Sequence, residues 1–124
     1  MIAIIDYGMG NLHSVYNALQ AIGAQAVITS DPAQLTAAEG IILPGVGAFR
    51  DCMRNLENSG LIDTIKSEAA QGKPLLGICL GMQVLFEKGY EVEECSGLGL
   101  LQGEIRLMED PEVKIPHIGW NRLE

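Results

Sequence analysis

Three short apolar runs, Ile2–Ile5, 41–43 and 75–78, set the tightest limit on what this chain can fold into. Each is continuous rather than alternating. A strand that is apolar at every position is one buried on both faces, as in a parallel sheet covered by helices above and below. The three runs are therefore expected at the centre of one sheet, with a weaker strand at Ala26–Thr29 and a fifth over 104–108. Amphipathic segments lie between them. Leu12, Val15, Tyr16, Leu19 and Ile22 recur at helical spacing behind the cap residue Asn11 and stop at Gly23. Phe49, Cys52, Met53 and Leu56 form a second stripe, and Leu61, Ile62, Ile65 and Ala69 a third. Strands alternating with helices through short Gly and Pro turns predict an α/β fold, a doubly wound, mostly parallel sheet with helices on both faces. Ligands should gather at the carboxyl ends of its strands. With 124 residues, 48% of them hydrophobic, the chain suits one domain over residues 1–124.

Charge and cysteine usage exclude several functions. Eight Lys and Arg against 16 Asp and Glu leave a net charge of −8, which repels phosphate backbones and anionic membranes, so no nucleic acid and no membrane is expected as a partner. The N-terminus has no basic segment leading into a long apolar one, and a cytoplasmic location follows as the expectation. Cys52, Cys79 and Cys95 are odd in number and far apart, unlike a disulfide framework or a zinc site. No metal and no cofactor is called for.

Chemistry concentrates at Cys79. The third apolar run leads straight into Gly77-Ile78-Cys79-Leu80-Gly81-Met82-Gln83, followed by the helix-compatible Val84, Leu85, Phe86 and Glu87. Cys79 thus falls at a strand-to-helix corner with a glycine two residues away on either side. That is the pattern of a nucleophile elbow, in which small flanking residues allow a sharp turn that presents the side chain at the end of the sheet. A helix starting there would turn its free N–H groups and positive end toward the sulfur, favouring thiolate, and the Leu80 N–H would be available to an oxyanion. An arbitrary free cysteine is more often a small buried hydrophobe. The paired glycines reverse that preference for Cys79, whereas Cys52, on an apolar stripe, and Cys95 read as structural.

Two glycine turns follow other strands. Pro44-Gly45-Val46-Gly47-Ala48-Phe49 could aim backbone N–H groups at a phosphate or a developing oxyanion. Gly8-Met9-Gly10-Asn11-Leu12-His13 opens a helix, with Asp31 at the distance where an acid would hold a ribose. Both fail as dinucleotide fingerprints, since Arg50 and His13 stand at the third glycine position. Tight strand-to-helix packing explains either turn equally well. Glu91, Glu93 and Glu94 read as a solvated loop within a glycine-rich stretch.

Taken together, these motifs closely resemble the class I, triad-type glutamine amidotransferases, and among them the glutaminase subunits of imidazole glycerol phosphate synthase in histidine biosynthesis. The likeness rests on Ile4-Ile5-Asp6-Tyr7-Gly8-Met9-Gly10-Asn11-Leu12, on the Leu43 to Phe49 loop, on the Gly77 to Gln83 corner and on Pro116-His117-Ile118-Gly119-Trp120-Asn121, in that order along the whole chain. It implies a flavodoxin-like amidotransferase domain in which Cys79 attacks the side-chain amide of glutamine, forming a thioester and releasing ammonia. It further implies an oxyanion hole from the Val46 and Leu80 N–H groups, a loop made adaptable by Gly45 and Gly47, and substrate contact by Gln83. Ammonia would pass to a (β/α)₈-barrel cyclase subunit, with Asn11, Trp120 and Asn121 on the docking face.

The family also supplies a His and a Glu beyond the position of Glu124, so the domain is expected to be incomplete at its C-terminal end. His13, beside an apolar stripe, reads as a packing residue and His117 as a surface or interface residue. The 124 residues alone are expected to show little glutaminase activity and to self-associate through surface left open. Three other functions compete with this one. A nucleotide-binding domain would ignore modification of Cys79, a non-catalytic docking module would keep its partner after Cys79→Ala, and a peptidase with a cysteine elbow would share the fold without the Pro44 loop.

Overall fold

The computed structural model describes residues 1–124. Four strands, β1 (Ile2–Ile5), β2 (Ala26–Thr29), β3 (Gly40–Gly45) and β4 (Leu75–Cys79), form a parallel sheet in the order β2-β1-β3-β4. Helices α1 (Leu12–Ala21), α2 (Pro32–Ala37), α3 (Phe49–Ser59) and α4 (Ile62–Ala70) make the crossovers, as parallel pairing requires. The expected α/β architecture is present. A single turn, α5 (Leu80–Gln83), follows β4, and then β5 (Phe86–Gly89), β6 (Cys95–Ser96) and β7 (Leu101–Ile105) build a separate small sheet in the order β6-β5-β7. The fifth strand therefore exists, but it begins and ends three residues earlier than the apolar pattern indicated and pairs with β5 instead of the main sheet. No helix is long and apolar enough to cross a membrane.

The core lies on one face of the main sheet. Ala3, Ile5, Ile41 and Leu43 meet Phe49, Cys52, Met53 and Leu56 of α3 and Leu61 and Ile65 beside and on α4, all buried. Thus the second stripe is buried at every position. On the opposite face Ile4 and Ile42 are buried, but α1 has no buried residue at all, and Ile22 is 77% exposed. The first stripe covers the sheet only partly, and His13 on α1 is exposed rather than packed.

The third apolar run departs most from its expected place. It forms β4 as predicted, but β4 pairs only with β3 and forms an edge of the sheet, leaving Leu76 56% and Ile78 37% exposed. Its apolar sequence is that of a strand covered on both faces, whereas here one face and the outer edge are open. Open apolar edges of this kind promote association. Leu76→Glu is expected to shift concentration-dependent self-association toward monomer, as measured by light scattering.

Asp31, which stands at the spacing of a ribose acid, caps α2, its carboxylate accepting from the Ala33 N–H at 2.9 Å. Such a cap satisfies one of the helix-end donors that have no partner within the helix. At the other end of α2, Lys73 Nζ donates to the Leu35 and Thr36 carbonyls at 2.8 and 2.7 Å and bridges to Glu68 of α4 at 2.9 Å. The Lys73 hydrogen bond holds the Glu68 carboxyl below its ordinary value against the opposing effect of desolvation. A carboxyl lowered in the fold contributes stability above the unfolded value and loses it as pH falls through the folded one. Glu68→Gln should therefore lower the urea midpoint at neutral pH, and the gap from the parent should close as the pH falls through and below the folded pKa.

Candidate active site at the end of β4

Cys79 ends β4 with φ 55° and ψ −117°, and it is the sole non-glycine residue with positive φ. Only a fold that over-determines it holds an L-residue in this conformation. The flanking glycines show how that is done. A Cβ on Gly77 would lie 2.5 Å from Met82 Cα, and one on Gly81 would lie 1.9 Å from the Leu43 carbonyl oxygen. The chain leaves β4, doubles back over Gly77 and presses Gly81 onto the end of β3, and neither approach leaves space for a side chain. Cys79 is exposed at the apex. The helix beyond it stops after one turn because Phe86 enters β5, so the macrodipole of a longer helix over 80–87 is absent and only first-turn N–H groups face the corner.

The second glycine loop meets this corner. Gly45 and Cys79 are register partners at the ends of adjacent strands. A Cβ on Gly45 would sit 2.8 Å from Tyr7 Oη and 2.9 Å from Gly81 N, so the loop is packed directly against the elbow. Val46 is 54% exposed and Gly47 takes φ 101°, a left-handed conformation suited to glycine. Leu80 is buried under the corner. Gly10, in the first glycine turn, would place a Cβ 3.0 Å from Pro44 Cβ. That turn closes on the Pro44 loop, and with Asp31 engaged as a cap it holds neither feature of a dinucleotide site.

The sequence places Glu91 on a solvated loop, yet its carboxylate accepts the Phe49 N–H at 2.9 Å and caps α3 from 42 positions away. The reason is local. Ala48 at the cap position has no side-chain oxygen to offer. That missing oxygen was the available signal that an acceptor must come from elsewhere. Glu93 pairs with Arg50 and Glu94 with Lys88, so the acidic cluster is tied down by ion pairs and not simply solvated. Glu91 also lines a cavity of about 220 Å³ together with Gln83, Tyr90 and Arg106. Arg106 stacks over the Tyr90 ring at 4.3 Å and bridges to Glu104 at 2.7 Å.

Asn11 caps α1, accepting from the Ser14 N–H at 3.3 Å. Trp120 and Asn121 are exposed in the tail with His117. Cys52 is buried and Cys95 half-buried.

A cysteine held left-handed on a strand-to-helix turn, beside a glycine loop at the carboxyl end of a parallel sheet, defines the α/β proteins that present a nucleophile on an elbow. More narrowly, residues 3–122 match the family model "Glutamine amidotransferase class-I", and the chain belongs to that family. Its relatives include imidazole glycerol phosphate synthase subunit HisH of Bacillus cereus, 57% identical over 123 residues that make up 99% of this chain and 58% of that protein. The subunit of the same name from Bacillus mycoides is 54% identical over 124 residues, 100% of this chain and 59% of its own. The chain thus spans under two thirds of the length of these relatives. Among solved structures, one described as a glutamine amidotransferase superposes with a TM-score of 0.70 at 21% identity, over 84% of this chain and 55% of its own. A putative peptidase E from Listeria monocytogenes gives 0.67 at 15% identity, over 81% and 62%. Both structures share the fold.

Gly81→Ala, which drives a methyl into a backbone carbonyl, is expected to destabilise by about 3 kcal/mol or more. Gly40→Ala should shift stability by less than about 1 kcal/mol, because its Cβ meets only ordinary contacts, the nearest 3.4 Å away. Urea unfolding of the two variants makes the comparison.

Proposed function

We propose that this chain carries the nucleophile of a glutaminase that hydrolyses glutamine to glutamate and ammonia, with the ammonia delivered to a cyclase subunit in histidine biosynthesis. The observation that supports it most is the register of Gly45 with a left-handed Cys79, which sets a reactive sulfur beside a loop of backbone donors. In this reaction the Cys79 thiolate attacks the γ-amide carbon, and the tetrahedral oxyanion is met by the Val46 and Leu80 N–H groups. Collapse expels ammonia after proton transfer to its nitrogen and leaves a γ-glutamyl thioester. Water then cleaves the thioester to glutamate and the free thiol. Gln83, four residues after Cys79, lines a cavity with Glu91, and its side-chain amide suits a hydrogen bond to the substrate.

His13 rides on α1, which packs on β1 and β2, and His117 lies in the exposed tail. In this reading neither histidine serves as the base of Cys79, and little turnover is expected from these 124 residues. The names of the relatives favour a cyclase of the histidine pathway as partner, a (β/α)₈-barrel subunit engaging Asn11, Trp120 and Asn121. The exposed Trp120 is the kind of aromatic anchor such an interface uses. The cytosol is the proposed setting.

Intact-mass spectrometry after brief exposure to 6-diazo-5-oxo-norleucine, a reactive glutamine analogue, tests the reading. One adduct at Cys79, absent in Cys79→Ala, is expected. A folded chain that takes up no label, or labels Cys95 as readily, would sink the assignment of a glutamine site to this corner.

A further inference from the structure

The Pro44 loop has no obvious means of holding its own geometry. It is built of proline, two glycines and two small or exposed residues, and Val46 makes no side-chain anchor in the core. Beyond its packing on the elbow and on Gly10, a further hold on the loop comes from the β1 side of the sheet. Tyr7, directly after β1 and 6% exposed, places its hydroxyl 2.5 Å from the Pro44 carbonyl oxygen, to which it donates, and 3.2 Å from Cys52 Sγ. Tyr7 Oη also fills the space in which a Gly45 side chain would lie. A hydroxyl donates once, so with its proton on Pro44 it must accept from the Cys52 thiol. The result is a buried chain, Sγ–H to Oη–H to C=O, that joins the end of β3 to α3 and brackets the loop between them.

The consequence follows from peptide planarity. Holding the Pro44 carbonyl fixes the plane of the Pro44–Gly45 peptide, and the packing of Tyr7 Oη and Gly81 N against Gly45 narrows the turn by which Gly45 sets the next peptide, whose N–H is that of Val46. We infer that Tyr7 is a positioning residue for the oxyanion loop, aiming the Val46 N–H at Cys79 through its hydrogen bond to the Pro44 carbonyl. The inference rests on the glutaminase reading above. Both members of the relay stay protonated: burial first, and Cys52 second, push the Tyr7 phenol far above its ordinary value, and burial pushes the Cys52 thiol up. The Tyr7 hydroxyl thus keeps the proton that it donates toward Pro44.

The test separates oxyanion geometry from general integrity by using two reagents on Cys79. With the diazoketone, the substrate-like carbonyl must sit among the loop donors while its diazo carbon takes a proton and then the thiolate, releasing N₂. Iodoacetamide alkylates the same thiolate by displacement of iodide and needs no oxyanion donor. Tyr7→Phe should slow diazoketone labelling about tenfold or more, since a misaimed donor forfeits much of its effect, and leave iodoacetamide labelling within about twofold. Cys52→Val leaves the Tyr7 to Pro44 bond in place and should keep the ratio of the two rates within about twofold of the parent. Parent-like diazoketone labelling in Tyr7→Phe, or a ratio that collapses in Cys52→Val, overturns the role given to Tyr7, the second even where Tyr7→Phe does not fold. Failure of the parent chain to take the diazoketone while still reacting with iodoacetamide overturns the glutaminase reading itself, and this inference with it.

Discussion

Everything at the site depends on one close approach, that of Gly81 to the Leu43 carbonyl. Backbone can come this near to backbone only where no Cβ intervenes. Because Gly81 presses on the end of β3 and Gly77 lies under Met82, the intervening Cys79 has no relaxed conformation open to it and is driven into positive φ. The same contact brings α5 beside the start of the Pro44 loop. Nucleophile and loop are thus positioned by a single packing event, and the strain at Cys79 is offset by the core that α3 and α4 complete on β1 and β3.

A second theme is that helix ends are satisfied from a distance. Glu91 caps α3 from beyond β5, and Lys73 completes the carboxyl end of α2 while holding Glu68 of α4. The Glu91 bond to α3 and the Lys73 bonds to α2 join elements about 40 residues apart, so the acceptors and donors left over at helix termini act as fasteners between elements. For a chain with so acidic a balance this matters. Much of the excess negative charge between 91 and 104 is engaged with backbone N–H groups, lysine or arginine, which reduces the repulsion that a freely solvated cluster would carry.

The parts of the fold that sequence made legible are those in which one local pattern has one physical outcome. The α3 stripe could be buried only against a sheet, and the GxCxG corner could be only a tight turn. Where several outcomes share a pattern, the reading failed. A continuous apolar run does not state whether both faces find cover, and β4 lies at an edge with Leu76 open. Val84 to Glu87 are compatible with helix, but Val84 and Leu85 form a turn, and pairing with β7 makes Phe86 and Glu87 strand. Glu91 was misread as solvated because a carboxylate's partner is set by tertiary placement. Tyr7 was passed over for the same reason, since nothing in its neighbourhood in sequence indicates that its hydroxyl ends on Pro44.

The edge position of β4 carries a dynamic consequence. Strands that are paired on one side open before those held on both, because fewer bonds and contacts must be released. The segment that bears Cys79 is therefore one of the two strands of the main sheet paired on a single side, while the loop opposite it hangs from fully buried β3. Local opening would release the elbow from positive φ without unfolding the core. The lifetime of the reactive geometry is then governed by fraying of one strand, and any molecule that lays a further strand or helix against β4 would lengthen it.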